Sequence, residues 1–321
     1  PDHRRSLWQT ANSLIPFFAL WYLMYLSLGI SYWITLGLSF PASGFLIRIF
    51  IISHDCGHGS FFKSRKANGI LGSITSILTF IPYHRWKHEH AVHHATAGDL
   101  DGRGVGDIWT LTVKEYLELS FWRRIGYRIY RNPFVMFGVG AMFTFLIHYR
   151  FPTRNCGKRE RTSNHRTNLA LFTIVSILGI TIGPEALLLV QLPILMISSA
   201  AGAWLFYVQH QFEGVYWDRN ENWDYITEAM EGSSFYRLPK ILQWFTGNIG
   251  FHHIHHLSPR IPNYFLEKCH KENLIFQKVK HITPLSSLRS LTFRLWDENR
   301  RKLVGFSYLK VLRAQNAMAV Q

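Results

Sequence analysis

Two long stretches of the chain are almost free of charge, and they set the first expectation for the fold. Residues 11–53 contain a single formal charge, Arg48, and residues 167–208 contain only Glu185. One helical crossing of a bilayer takes about 20 apolar residues, so each stretch accommodates two. The expected spans are residues 11–30 and 31–53, turning near Leu28–Tyr32, and residues 168–183 and 186–208, turning at Gly183-Pro184. Two shorter apolar segments read differently. Residues 69–82 hold Gly69 and Gly72 and are too short for a full crossing, which suits a buried or interfacial segment. Residues 133–149 are apolar enough to cross, but both flanks are basic: Arg123, Arg124, Arg128 and Arg131 before, then Arg150, Arg154, Lys158, Arg159 and Arg161 after. Two basic flanks cannot both obey the positive-inside preference, so this segment reads as a dip or an interfacial helix. The basic start, PDHRR, places the N-terminus on the cytoplasmic side. The expectation is an all-α integral membrane protein of one domain, residues 1–321. Four transmembrane helices form two hairpins, and a cytoplasmic helical cap is built from 54–166 and 209–321.

Composition agrees. The chain is 48% hydrophobic and 15% aromatic, with 17% charged residues; a soluble domain carries roughly 25% charge. The net charge of +15 raises nucleic acid as a partner, but no reader motif is present, and Lys and Arg concentrated on inner loops account for the balance. Three scattered cysteines, Cys56, Cys156 and Cys269, argue against a disulfide framework. Pro1 to Ser6 lacks a cleavage-site pattern, so residues 11–30 read as a retained span.

The 17 histidines carry the chemistry. His54-Asp55-Cys56-Gly57-His58 follows the second span, His90-Ala91-Val92-His93-His94 comes some 30 residues later, and His252-His253-Ile254-His255-His256 lies in the polar tail. Residues three and four apart share a helix face, so His54 with His58, His90 with His93 and His94, and His252 with His255 and His256 each present imidazoles one way. All three clusters fall on the cytoplasmic side of the expected topology. Eight imidazoles exceed the four ligands of one zinc ion and suit two metals, with His210 at the end of the fourth span a candidate ninth ligand. Imidazole accepts zinc, copper, iron or nickel, so spacing alone does not name the metal. His253 points off its cluster's face, and His84 and His88 lie opposite the second cluster; all three are excluded. His148, His165, His270 and His281 read as boundary or hydrogen-bonding residues. Asp55 and Asp107 either orient ligand imidazoles or are ordinary solvated or capping carboxylates. Tyr83, Trp86, Trp109 and Phe251 either line a substrate channel or anchor the membrane interface.

With these boxes, the chain resembles the membrane fatty acid desaturases, in particular the bacterial acyl-lipid branch that acts on phospholipid acyl chains. The context supports it: GDLDGRGVGDIWTLT after the second box, FYVQHQFE at 206–213, EGSSFY at 231–236 and GNIGFHHIHHLSPRIPNY at 247–264. The likeness runs from about Leu14 to Trp296. The resemblance implies a di-iron centre, dioxygen as co-substrate, an active site facing the cytoplasm, and delta-5 or delta-12 relatives. It also implies electrons from a ferredoxin or flavodoxin with its reductase; an appended cytochrome b5 module, carried by some relatives, is absent, so the donor is external.

Other classes fit less well. A membrane hydroxylase or ketolase would use the same oxidant on a lipid and differ in product. A soluble-type carboxylate di-iron enzyme needs paired Glu-x-x-His motifs, and only Glu267-Lys268-Cys269-His270 matches. A zinc protease needs His-Glu-x-x-His, and His88-Glu89-His90-Ala91-Val92 lacks the second histidine. A metal transporter would place its ligands near the bilayer midplane, whereas these lie at span ends and beyond.

Overall fold

Helix α1 (His3–Ser27) and helix α2 (Tyr32–His58) make the first hairpin. The Asp2 carboxylate caps α1, accepting from the Arg5 backbone N–H at 3.0 Å. Helix α3 (Arg65–Leu78) lies along α2, and α4 (Tyr83–Thr96) follows after a short turn. Two short helices, α5 (Val113–Glu118) and α6 (Phe121–Tyr130), lead to a π-helical turn (Val135–Val139), α7 (Gly140–Leu146) and a 3₁₀ turn (His148–Arg150). The second hairpin is α8 (Lys158–Ile182) and α9 (Pro184–His210). Pro184 opens α9 at a position whose backbone N–H is not needed. Beyond it lie α10 (Tyr225–Thr227), α11 (Lys240–Phe245), α12 (His252–Leu257) and α13 (Asn263–Glu272). The computed structural model describes residues 1–154 and 156–319.

Three helices are long and apolar enough to cross a membrane: α2, α8 and α9. α1, at 25 residues as long as α8, falls outside that set. The segment Val135–Arg150 meets α6 at a 66° bend and packs against α9, a geometry shared by a broken span and a re-entrant dip. α2 and α9 run past the expected span ends at 53 and 208 to His58 and His210. The chain is mostly helical, as expected, with five short strands among the described residues: β1 (Leu111–Thr112), β2 (Phe235–Tyr236), β3 (His281–Ile282), β4 (Leu295–Asp297) and β5 (Lys302–Val304). β1 pairs parallel with β4, β4 antiparallel with β5, and β2 parallel with β3. At two or three residues each, they are too short to imprint an alternating pattern.

The helical part is inverted relative to a soluble protein. Ser6, Gln9 and Ser13 of α1 are buried, while Trp8, Ile15, Phe18, Trp33, Phe40, Phe172 and Ile180 are exposed. Contiguous exposed apolar surface of this kind belongs in lipid. Phe17, Met24, Leu46, Ile49, Val190 and Ile194 pack the interior between α1, α2 and α9. The cap holds a second core around Tyr207, Phe212, Tyr236 and Trp296.

Buried arginines fasten the cap. Arg85 of α4 pairs with Glu89 at 2.8 Å and donates to the carbonyls of His148 and Phe151, at 3.1 and 2.7 Å. Arg131, fully buried, donates to Gln211 Oε1 at 2.6 Å, Thr110 Oγ1 at 3.1 Å and the Phe293 carbonyl at 3.2 Å. These bonds join the end of α6 to the exit of α9. Removing a charged donor from several buried acceptors costs about 2–4 kcal/mol. Arg131→Ala should therefore lower the detergent melting midpoint clearly. Arg131→Lys should restore little, because an ammonium lacks the planar fork; full recovery with Lys would contradict this account.

Candidate metal centre

The histidines arrive on four elements. α2 carries His54 and His58 in its last turns, α4 carries His90, His93 and His94, α9 ends on His210, and α12 carries His252, His255 and His256. Their ring nitrogens gather into two groups. His54, His58, His90, His94 and His255 form one, and His93, His210, His252 and His256 form the other. Within each group the ligand atoms lie within 4.8 Å of one another. The nine expected residues are thus the nine brought together. The boxes do not map one to one onto the groups, however: the second and third are each split between them.

The inward atoms are Nε2. His54 and His255 approach Nε2 to Nε2 at 3.1 Å, His90 and His94 at 3.2 Å, His93 and His210 at 3.1 Å, and His252 and His210 at 2.9 Å. With metal–nitrogen bonds of roughly 2.1 Å, two ligands at right angles lie about 3 Å apart, so the spacing fits imidazoles around a shared cation. His58 Nε2 and His256 Nε2 are buried with no hydrogen-bond partner, as nitrogens reserved for a metal would be.

Carboxylates hold the outer nitrogens. Asp55 Oδ1 lies 3.0 Å from His54 Nδ1, Asp107 Oδ1 lies 2.6 Å from His93 Nδ1, and Glu228 Oε2 lies 3.2 Å from His256 Nδ1. A carboxylate only accepts, so each of these rings carries its proton on Nδ1 and turns a lone pair inward. Asp55 is itself held, its Oδ2 accepting from Asn263 N and Nδ2 at 2.7 and 2.8 Å. Gly106, at φ +73°, brings Asp107 to His93, and a Cβ there would stand 2.9 Å from the Glu89 carbonyl. Asp55 and Asp107 were anticipated from the sequence; Glu228 was not, since nothing in its spacing sets it apart from Glu231.

The excluded histidines lie elsewhere. His253 is buried beside Phe235, His270 and Phe276. His88 is exposed, and His148 Nε2 accepts from Arg85 at 2.7 Å. Of the four aromatics singled out, Trp86 stacks on His90 at 4.5 Å and Trp109 lines a cavity with His93, His210, Phe206 and Trp217. Tyr83 is packed against Gly72 of α3, and Phe251 stacks on Phe235 at 4.6 Å, so both belong to the packing.

A family model described as fatty acid desaturase matches residues 30–281. A fatty acid desaturase of Bacillus subtilis (strain 168) is 52% identical over 310 residues, covering 97% of this chain and 88% of its own. The chain belongs to the fatty acid desaturase family. More distant desaturases follow. An endoplasmic reticulum omega-3 fatty acid desaturase of Vigna radiata is 29% identical over 74% of this chain and 64% of its own. An sn-1 oleoyl-lipid 12-desaturase of Synechocystis is 26% identical over 71% of this chain and 66% of its own. As a desaturase the chain is an oxidoreductase that introduces a double bond into a fatty acyl chain.

Burial first, and neighbouring imidazoles second, hold His90, His94, His252, His255 and His256 well below the usual imidazole range. They are neutral at physiological pH, the form that ligates metal. The unfolded chain binds protons at these positions below about pH 6.5 while the folded chain does not, so stability falls as pH falls. Each such group contributes a loss of about 1.4 kcal/mol per pH unit below that point. The metal-free desaturase should therefore show a melting midpoint that drops steadily from pH 7 to pH 5.5. A flat profile would mean that these rings are not buried neutral.

Proposed function

We propose that this desaturase acts on acyl chains esterified in membrane lipids, using dioxygen and two irons held by His54, His58, His90, His94 and His255 on one side and His93, His210, His252 and His256 on the other. The observation that carries this reading is the convergence of nine imidazoles, seven buried and two half-buried, into two groups beside a mostly apolar cavity. Hydrogen on an unactivated methylene has no useful acidity, so no general base removes it. Iron bound at the two groups would supply the one-electron oxidation that the reaction requires.

The chain's own residues do the rest. Asp55, Asp107 and Glu228 keep protons on Nδ1 and leave Nε2 free. The cavity bordered by His93, His210, Ile108, Trp109, Phe206 and Trp217 offers an apolar wall for the methylenes.

The topology belongs to the same proposal. α1 crosses as a fourth span, because its outer face is apolar and its polar residues point inward, and residues 1–321 form one domain with both termini and the histidines on the cytoplasmic side. Electrons come from a ferredoxin or flavodoxin with its reductase. Two relatives support the first choice by name: an sn-2 acyl-lipid omega-3 desaturase (ferredoxin) of Helianthus annuus and an sn-1 acyl-lipid omega-3 desaturase (ferredoxin) of Synechocystis. The bond position is delta-5 or delta-12, the latter supported by the Synechocystis relative's name.

The test is the fatty acid profile of a bacterial host expressing the chain, supplied with ferredoxin, flavodoxin and reductase. Mass spectrometry of derivatised lipids should locate a new double bond at one of these positions, with no product above background in His90→Ala. An unchanged profile from iron-loaded protein, or a hydroxylated product, would overturn the reading.

A further inference from the structure

The segment between α9 and β2 grips the four-histidine group more firmly than a connecting loop needs to. Glu228 opens a π-helical turn, Glu228–Gly232, and is fully buried. Its Oε2 faces His256 Nδ1 at 3.2 Å and its Oε1 accepts from Ser233 Oγ at 3.1 Å. Among the described residues these are its only side-chain partners. Two glycines make the space for it, since a Cβ at Gly232 would stand 3.1 Å from Glu228 Cγ and one at Gly98 3.3 Å. The same segment holds both neighbouring boxes. The Tyr225 hydroxyl donates to the His256 carbonyl, and Trp223 Nε1 donates to the Ala97 carbonyl at 2.9 Å.

A buried carboxylate is costly unless positive charge compensates it, and no lysine or arginine is bonded to this one. The two groups also differ in their outer partners. Five imidazoles share one carboxylate, Asp55, whereas four share two, Asp107 and Glu228.

We propose that Glu228 is a positioning residue of the four-histidine group: it takes the Nδ1–H of His256, fixes the ring with Nε2 turned inward, and adds the negative charge that offsets the missing fifth imidazole. This rests on the two-metal reading given above. The two metal positions are then inequivalent, and only one depends on Glu228.

The experiment is a Co(II) titration of the purified full chain, stripped of metal, followed by absorption spectroscopy and elemental analysis. Wild type should bind two ions. Glu228→Gln keeps the shape and an acceptor but loses the charge, and should weaken only the second ion, about 10-fold. Glu228→Ala removes both and should weaken it up to about 100-fold, within the range usual for outer carboxylates of metal-bound histidines. Glu231→Gln, an exposed neighbour in the same turn, should change nothing. The first ion's spectrum and affinity, and the helical circular dichroism, should stay as in wild type for the Gln variant. Unchanged binding of the second ion in Glu228→Gln and Glu228→Ala would overturn the proposal. So would equal loss of both ions in the Gln variant, which would mark a general structural role. A wild type holding fewer than two ions would instead overturn the two-metal reading beneath it.

Discussion

Nine clustered imidazoles with Nε2 turned inward repel one another through their lone pairs unless positive charge lies between them. Protons cannot fill that role everywhere. Asp55, Asp107 and Glu228 claim the Nδ1 protons of His54, His93 and His256, so those three rings face inward with bare lone pairs. His210 Nε2 sits 3.1 Å from His93 and 2.9 Å from His252, yet it has at most one hydrogen to share. Three nitrogens meet with too few protons to pair them, and a cation relieves all of these contacts at once. The surrounding structure can be understood as what keeps the rings in this strained register.

Rigid elements do most of that holding. α2 and α9 deliver His58 and His210 from the ends of long helices, where little backbone freedom remains. The polar inner face of α1 takes part as well. Gln9 Nε2 donates to Asn263 Oδ1 at 3.0 Å, and Asn263 donates twice to Asp55, which orients His54. A chain of hydrogen bonds thus runs from the first helix to the centre. It explains why a helix with an apolar exterior keeps serine and glutamine inside. In lipid such groups must find partners within the protein, and here the partners lead to the histidines.

The sequence made the large features legible because they depend on averages. Charge-free runs located the helices α1, α2, α8 and α9, and Gly183-Pro184 located the break between α8 and α9. Hydropathy marks where a helix leaves an apolar medium and not where it ends, so α2 and α9 continue past the expected boundaries. The nine histidines were legible because helical spacing forces neighbours together. Their partition was not. Positions three and four apart lie on opposite sides of the starting residue, so adjacent residues such as His93 and His94 diverge by about 100°. That divergence sends His94 to one group and His93 to the other. Glu228 was hidden for a different reason: a π-helical turn, and glycines more than a hundred residues apart in the chain, decide that it and not Glu231 turns inward.

The partition matters for the chemistry. The cavity is lined by His93 and His210 and by none of the five-histidine group. Open space therefore borders the group with fewer imidazoles and more carboxylates. Ring count and access vary together in the sense that reaction requires, since a group crowded by five imidazoles leaves little room beside them, whereas four leave a face uncovered. The missing imidazole also removes a neutral donor from the side where the apolar wall of Phe206 and Trp217 begins. Glu228, buried behind His256 and outside the cavity lining, returns electron density that the fifth ring would have supplied while adding no bulk toward the cavity, whereas Asp107 borders the cavity itself. With Glu228 behind His256 and open space beside His93 and His210, one group is both well held and accessible.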